Sequence, residues 1–313
     1  MTPVHSNQSN AFVPQRISLI IPTYDRGEIL SNTLAMALNQ DYPDYEIIVV
    51  DQSKSVPDGV RRAIEDAHFR VQYIRMLHPN LPAARNAGAR AASGEIIVFI
   101  DDDVVIGPDY VYSQARPYSD PSVGGVMGLT FDPGELEEPE IIEGKLKLNL
   151  YGPKAQLSNG VVQVSRLIGG NTSYRMKAFL EAGMSDERFT GSGWFEDIDL
   201  AVRVEHAGYV LLMDPRIRLR HLALPSGGCG NRQIANDDRK QEDRCRMYLF
   251  YCFKNRHILG APTVFANLWW KYRNYALNGP LVRTPRKMVE RHWAFIRSLA
   301  RALHLCRQAS ARA

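Results

Sequence analysis

The feature that most narrows the fold is Gly94-Glu95-Ile96-Ile97-Val98-Phe99-Ile100-Asp101-Asp102-Asp103, an apolar run that stops in three consecutive carboxylates. Adjacent apolar residues, most of them β-branched, read as a strand buried on both faces, the pattern of a parallel sheet. Three like charges side by side repel unless a cation neutralises them, and hard divalent ions such as Mg²⁺ or Mn²⁺ prefer carboxylate oxygen. Ligands of open α/β sheets collect at the carboxyl ends of strands, so a metal held there could bridge the phosphate oxygens of a nucleotide. Taken alone, the segment also reads as a solvated acidic turn.

The residues before this strand predict its neighbours. Ile17-Ser18-Leu19-Ile20-Ile21 reads as a first strand ending at Pro22-Thr23-Tyr24-Asp25-Arg26, after which Ile29, Leu30, Thr33, Leu34, Ala37 and Leu38 repeat at helical period. Asp25 and Glu28 have the spacing of a capping box. Glu46 to Asp51 gives a second buried strand closed by a carboxylate and followed by Gln52-Ser53-Lys54-Ser55; Val71 to Arg75 is a weaker third. After Asn80-Leu81-Pro82, the Ala-rich stretch Ala83 to Ala92 is a helix carrying Arg85, stopped by Ser93-Gly94. This βαβαβαβ order predicts a doubly wound, Rossmann-like sheet. Pro108-Asp109-Tyr110 reads as a helix start with Pro at its first position, and Val123 to Thr130 as a further strand. Residues 131–165, rich in Pro, Gly and Glu, read as an insertion or loop beside the site. Leu167 to Arg175 reads as a strand whose paired Gly169 and Gly170 suggest close backbone approach of a ligand.

A second acidic cluster, Glu196, Asp197 and Asp199, opens a helix after Gly193-Trp194-Phe195. Carboxylates in a first turn suit the helix dipole. A carboxylate near the wall of Trp194 can also have its pKa raised and serve as a general base. Tyr209 to Met213 and Ile217 to Arg220 deliver His221, a structural hydrogen bonder or a metal ligand. The phosphate fingerprints GxGxxG and GxxxxGK[ST] are both absent, which speaks against a dinucleotide enzyme and a P-loop NTPase.

Charge divides the chain. From Arg232 onward there are 17 Lys and Arg against 5 Asp and Glu, a surplus of 12, which leaves −8 on residues 1–231 of a chain whose net charge is +4. An acidic body with a basic tail fits a catalytic domain steered to an anionic surface, and no zinc-finger or RNP motif points to nucleic acid. The four cysteines have no metal-ligand spacing and read as reduced thiols. The longest uncharged stretch near the tail is too short to span a bilayer, and the polar start lacks the pattern of a secretory signal, so a cytoplasmic protein is expected, peripheral on the membrane if the tail docks there. Within Thr284 to Gln308, Val289, Trp293, Ile296, Ala300 and Leu303 form one apolar helix face flanked by Arg286, Lys287, Arg291, Arg297 and Arg301. Such a face anchors at a membrane or packs on protein.

In this order the pieces resemble family 2 glycosyltransferases of the GT-A fold. The resemblance covers residues 17–221 and rests on Ser18 to Tyr24, Val49-Val50-Asp51, Pro82 to Gly88, the Asp101/Asp103 DxD, Gly169-Gly170-Asn171, and Glu196-Asp197 with Asp199 and Arg203. It implies a mostly parallel, Rossmann-like α/β sheet flanked by helices over residues 15–230, with residues 1–14 a disordered tail and 231–313 a basic helical extension. It implies that Pro22, Tyr24 and Asp51 hold the nucleoside, Asp51 at uracil, with Thr23, Asp25, Ser53, Asn80, Arg85 and Gly170 in the same donor site. Asp103 would bind the divalent cation, Mg²⁺ or Mn²⁺. Asp101 or Asp102 would meet ribose or metal water, and His221 would complete the metal shell together with Asp101. Asp197, with Glu196 beside it, matches the catalytic base. Gln241-Glu242-Asp243-Arg244-Cys245 has the spacing of the QxxRW of processive synthases but lacks the Trp, which favours single addition. The expected activity is inverting transfer of a sugar from a nucleotide-sugar donor to a saccharide or lipid-linked saccharide acceptor. A lid is expected over Leu224 to Arg244, hinged at Ser226-Gly227-Gly228-Cys229-Gly230, with Arg244 or Arg232 assisting. The alternatives are a nucleotidyltransferase and a non-catalytic sugar-nucleotide-binding module.

Overall fold

The computed structural model describes residues 15–56, 58–134, 141–142, 145–146, 155–156, 160–190, 193–224, 238–277 and 285–310. Its first half alternates strand and helix: β1 (Ile17–Thr23), α1 (Ile29–Leu38), β2 (Tyr45–Asp51), α2 (Asp58–Asp66), β3 (Val71–Arg75), α3 (Leu81–Ala91) and β4 (Ile96–Ile100). These four strands lie in the order β3-β2-β1-β4, all parallel, so the carboxyl ends of β1, β2 and β4 reach one edge. The apolar runs are continuous because both faces are covered. Ile47 and Val49 belong to the core on one side of the sheet, while Ile48 and Val50 belong to the core on the other. Edge strand β3 has only Val71 buried, which is why its pattern is weaker. Helix α3 can lie close on β1 because Gly88 has no side chain; a Cβ there would stand 2.5 Å from Ile20 Cγ2.

The second half is mixed. It contains β5 (Val104–Val105), α4 (Tyr110–Ala115), β6 (Val123–Phe131), the short strands β7 (Ile141–Ile142), β8 (Lys145–Leu146) and β9 (Ala155–Gln156), then β10 (Val162–Val164), β11 (Asn171–Arg175), α5 (Met176–Glu181), α6 (Glu196–His206) and β12 (Val210–His221). Strand β11 inserts antiparallel between β4 and β6, pairing Asn171 with Ile100. The two segments read separately around Met213 and Ile217 are one strand, β12, with an irregularity between Met213 and Arg218.

Helices α7 (Asp238–Lys254), α8 (Arg256–Leu259), α9 (Ala261–Tyr272) and α10 (Pro285–Ser310) follow. A third core joins them to the sheet domain, with Phe189 and Val202 buried among Phe250, Val264, Phe295 and Ala302. Among the described residues no helix is long and apolar enough to cross a membrane.

Three local expectations are corrected. Asp25 caps no helix: α1 begins at Ile29 behind Glu28, and Asp25, at φ +50°, turns toward β2 to accept from the Lys54 N–H at 3.1 Å. Gly169 and Gly170 precede β11 rather than lying in it, and Gly169 takes φ +74°, a turn conformation that suits glycine. Pro108 stands one residue ahead of the Asp109 N-cap of α4, not at the first helical position. The expected hinge at residues 226–230, Arg232, the tail at 1–14 and most of the insertion at 131–165 lie outside the described residues.

Candidate functional site

Three parallel strand ends and one returning strand build the site. After β4 the chain turns through Asp101, Asp102 and Asp103 into β5, whose Val104 pairs with His221 at the end of β12. The backbone locks that approach, since the Leu222 N–H donates to the Asp103 carbonyl at 2.8 Å. One ligand atom each from Asp101, Asp103 and His221 can be chosen so that all lie within 4.8 Å of one another. His221 Nε2 is 3.1 Å from Asp103 Oδ1 and 4.0 Å from Asp101 Oδ2, while its Nδ1 lies 2.8 Å from Asp132 Oδ1. Burial opposes a charged imidazole, but the carboxylates of Asp103 and Asp132 outweigh it and hold His221 above its ordinary pKa. Asp103 is itself held low: desolvation pushes its carboxyl up, and His221 and Arg26 more than offset that.

Arg26 carries no expected role in the sequence, yet it is the cation of this turn. Its Nε lies 3.0 Å from Asp102 Oδ1 and its Nη2 3.0 Å from Asp103 Oδ2. Asp102 is nonetheless raised to about 7, by burial first, with Arg26 pulling the other way. Asp102 points at Arg26, and Asp101 and Asp103 face His221. The one signal in the sequence was an arginine in the loop after β1, on the edge where the carboxylates end. Asp132 was likewise hidden, in a stretch with broken apolar pattern.

The residues expected around a nucleoside line the adjoining strand ends. Asp51 is buried with both oxygens engaged, Oδ1 accepting from the Ser53 N–H and Oδ2 from the Tyr73 hydroxyl, each at 2.7 Å. Ser53 Oγ accepts from the Asp25 N–H at 2.8 Å, which stitches the loops after β1 and β2 together. Pro22 and Thr23 are buried in this floor and Tyr24 is half-buried above it. Asn80 is the N-cap of α3, accepting from the Ala83 N–H and donating to the Glu187 carbonyl, both at 2.9 Å. Its side chain is thus committed to the helix start.

Across the turn lies the second acidic cluster. Gly169 donates its N–H to Asp197 Oδ2 at 2.9 Å, and Gly170 packs so tightly on Asp101 that a Cβ would fall 2.2 Å from the carboxyl carbon. Two consecutive glycines therefore touch both clusters, and the close backbone approach expected of them is made to Asp101. Asp197 Oδ1 accepts from the Ile198 N–H at 2.8 Å. Burial raises the Asp197 carboxyl, against the pull of Arg85 and these backbone amides. Arg85 is 5% exposed, not a solvated surface arginine. Its guanidinium pairs with the buried Glu196 carboxylate and lies 5.5 Å from the Phe99 ring centre. The pair is incompletely satisfied, with Arg85 Nε and Glu196 Oε2 lacking partners, and burial lifts Glu196 to about 7 despite Arg85. Asp199 faces away and anchors α6 to the end of α7, its Oδ2 2.7 Å from both Arg203 Nη2 and Lys254 Nζ and its Oδ1 2.7 Å from Asn255 Nδ2. Trp194 is 40% exposed and carries Arg244 over its ring at 4.2 Å.

The arrangement can hold a hard cation. Asp103 Oδ1 is buried 3.1 Å from His221 Nε2, and a cation held between Asp101, Asp103 and His221 would replace that contact. Two carboxylates and an imidazole fit Mn²⁺ or Mg²⁺.

The family model described as Glycosyl transferase family 2 matches residues 18–182. The chain is 28% identical over 283 residues to an uncharacterized protein, y4gI, of Sinorhizobium fredii, covering 84% of this chain and 30% of that protein. It is 25% identical over 224 residues to the O-antigen biosynthesis protein RfbC of Myxococcus xanthus, covering 66% of this chain and 17% of that one. This chain thus spans less than a third of the length of either relative. Among solved structures, a mannosyltransferase of Pyrobaculum calidifontis in complex with GDP-Man and Mn²⁺ superposes with a TM-score of 0.57 at 18% identity, over 96% of this chain and 80% of that one. That likeness establishes the shared fold.

Proposed function

This chain belongs to glycosyl transferase family 2, and from that premise we propose that it is an inverting, metal-dependent glycosyltransferase. It moves a sugar from a nucleotide-diphosphate donor, UDP-linked, to an acceptor hydroxyl in cell-surface polysaccharide or glycolipid synthesis. Residues 15–230 form the catalytic part and 231–313 its basic helical extension. The observation that carries this reading is the Gly169-Gly170 turn, which touches Asp197 with one residue and Asp101 with the next. A candidate base and a candidate metal cluster are thereby set on either side of one backbone step, where an acceptor hydroxyl and a donor diphosphate would meet.

Asp101, Asp103 and His221 would hold the divalent ion, Mg²⁺ or Mn²⁺, which when bound supplies Lewis-acid stabilisation of charge on the leaving diphosphate. The Pyrobaculum protein, of the same fold, holds Mn²⁺ with GDP-Man, and RfbC is named for O-antigen synthesis; both support this reading. Pro22, Thr23, Tyr24, Asp25, Asp51 and Ser53 form the nucleoside floor, with Asp51 kept rigid by Ser53 and Tyr73. Asp197 takes the proton of the acceptor hydroxyl, a role its raised pKa suits. The hydroxyl oxygen attacks the anomeric carbon as the bond to the diphosphate breaks on the opposite face, so configuration inverts. Arg85 and Glu196 lie under this turn and fix the start of α6, while Asp102 holds Arg26 beside the diphosphate position.

Thermal unfolding with UDP-, GDP- and dTDP-sugars, with and without Mn²⁺, tests the assignment through mass-action stabilisation. A UDP-sugar should raise the midpoint only with Mn²⁺, and Asp103→Ala should abolish that rise. A rise unaffected by Mn²⁺ and by Asp103→Ala would overturn the metal assignment. Absence of sugar transfer from any stabilising donor would overturn the reaction.

A further inference from the structure

Helix α10 has two faces, and only one is used by the fold. Ala294, Phe295, Ser298 and Ala302 are buried toward the domain, whereas Val289, Trp293, Ile296 and Leu303 are 56%, 57%, 38% and 38% exposed. The stripe seen in the sequence is therefore the outward face of α10 among the described residues. Helix α9 repeats the arrangement: Val264 is buried, while Phe265 and Trp269 are 74% and 57% exposed. The two outward faces are continuous through a ladder of rings. Trp269 lies 6.1 Å from Tyr272, Tyr272 5.8 Å from His292, and His292 6.1 Å from Trp293. A contiguous apolar and aromatic surface of this kind marks an interaction site.

Its charge selects the partner. The described parts of α9, the following turn and α10 carry Lys271, Arg273, Arg286, Lys287, Arg291, Arg297, Arg301 and Arg307 against the single acid Glu290. Helix α7 returns two carboxylates: Asp238 pairs with Lys287 and Arg291, and Glu242 with Arg297 and Arg301. Arg291, expected on the polar margin, is buried against Asp238, and Lys271 stands over the Tyr248 ring. Arg273, Arg286, Lys287, Arg297, Arg301 and Arg307 remain against Glu290, Asp238 and Glu242, a surplus of three positive charges at the margin of the aromatic face. Two copies meeting face to face would bring like charges together, whereas an anionic leaflet attracts them. Tryptophan and tyrosine with lysine and arginine at the margin are also the composition of the bilayer interface.

We propose that the outward faces of α9 and α10 form a membrane-docking surface that lies in the interfacial plane of an anionic lipid bilayer, inserting Phe265, Trp269, Val289, Trp293 and Ile296. No described helix is built to cross the bilayer, so the attachment is peripheral and reversible. This inference rests on the helices alone and stands or falls apart from the reaction proposed above. Its test is co-sedimentation of the full chain with phosphatidylcholine vesicles, with and without phosphatidylglycerol, alongside tryptophan fluorescence and light scattering. The protein should pellet with the anionic vesicles and not with the neutral ones, its emission should shift to the blue, and raised salt should release it. Trp269→Ser with Trp293→Ser, both at exposed positions, should lower partitioning at least tenfold while leaving the melting temperature in place. Arg273→Glu with Arg307→Glu should also weaken it, since each cation near an anionic leaflet contributes roughly fivefold. Failure to pellet with anionic vesicles overturns the proposal. So does equal pelleting of the tryptophan variant, or a wild-type dimer that the tryptophan substitutions dissolve while vesicle binding is absent.

Discussion

Glu196→Gln should make the protein more stable at pH 8 and leave its stability near pH 4.5 almost unchanged, although it removes one half of a buried ion pair. Glu196 is 2% exposed, and its carboxyl is raised from 4.5 to about 7 by burial even with Arg85 beside it. A carboxyl whose folded value lies above its unfolded value binds more protons in the folded state across that window. Its contribution to stability is therefore full below about pH 4.5 and is lost as pH rises toward 7. The raised value corresponds to about 3 kcal/mol at pH 8. Glutamine keeps the shape and an oxygen for Arg85 to donate to, and Arg85 retains the nearby charges of Asp101 and Asp197. Asp102, also raised to about 7, is present in both proteins and cancels from the difference. Across 313 residues an unfolding entropy of about 0.7 kcal/mol/K converts the gain into about 5 °C. The assay is thermal unfolding of both proteins in metal-free buffer from pH 4.5 to 8. Melting temperatures that run parallel across this range, or a glutamine variant less stable at pH 8, would refute the reasoning. Arg85→Met should behave oppositely at pH 8, because it strands a buried carboxylate.

Three further outcomes follow from the geometry. Asp197→Asn should keep donor-induced stabilisation while turnover, measured as nucleotide release with acceptor present, falls by about 10² to 10⁴; turnover near wild type would leave Asp197 as a helix-end charge. Gly170→Ala drives a methyl into the Asp101 carboxylate, so Mn²⁺ affinity by calorimetry should fall about 10- to 100-fold, while the melting temperature stays close to wild type because Asp101 is 40% exposed and can move. Asp199→Ala should cost about 3 to 5 kcal/mol in denaturant unfolding, since that fully buried carboxylate holds Arg203, Lys254 and Asn255 together.

The parallel half of the sheet was legible because strands covered on both faces show unbroken apolar runs, as in Ile96 to Ile100 and Ile47 to Val50. The carboxylates at their ends marked the site edge for the same reason. The antiparallel place of β11 could not be read, because Asn171, Thr172 and Ser173 are polar and are buried by side-chain partners. Asn171 Oδ1 accepts from the Tyr110 hydroxyl at 2.8 Å, and the Tyr118 hydroxyl donates to Ser173 Oγ at 2.9 Å. Arg85 and Arg26 share that cause: a charged side chain reads as solvent-facing until its distant carboxylate is placed beside it. The stripe on α10 was visible as a period, but its direction was not, since either face of that helix could have turned inward. The exposed rings of α9 were hidden in a stretch that looked merely apolar.

The pairing of Val104 with His221 also fixes an order of events during synthesis. His221 leaves the ribosome about 120 residues after Asp101, a lag of roughly 6 to 24 s at about 5–20 residues per second. Throughout that interval strands β1, β2 and β4 are already available to pair, and the three adjacent carboxylates must be tolerated without their imidazole. Arg26, made before them, is the cation at hand. Its bonds to Asp102 and Asp103 join residues all made before His221, so this part of the acidic turn is complete in sequence before β12 is.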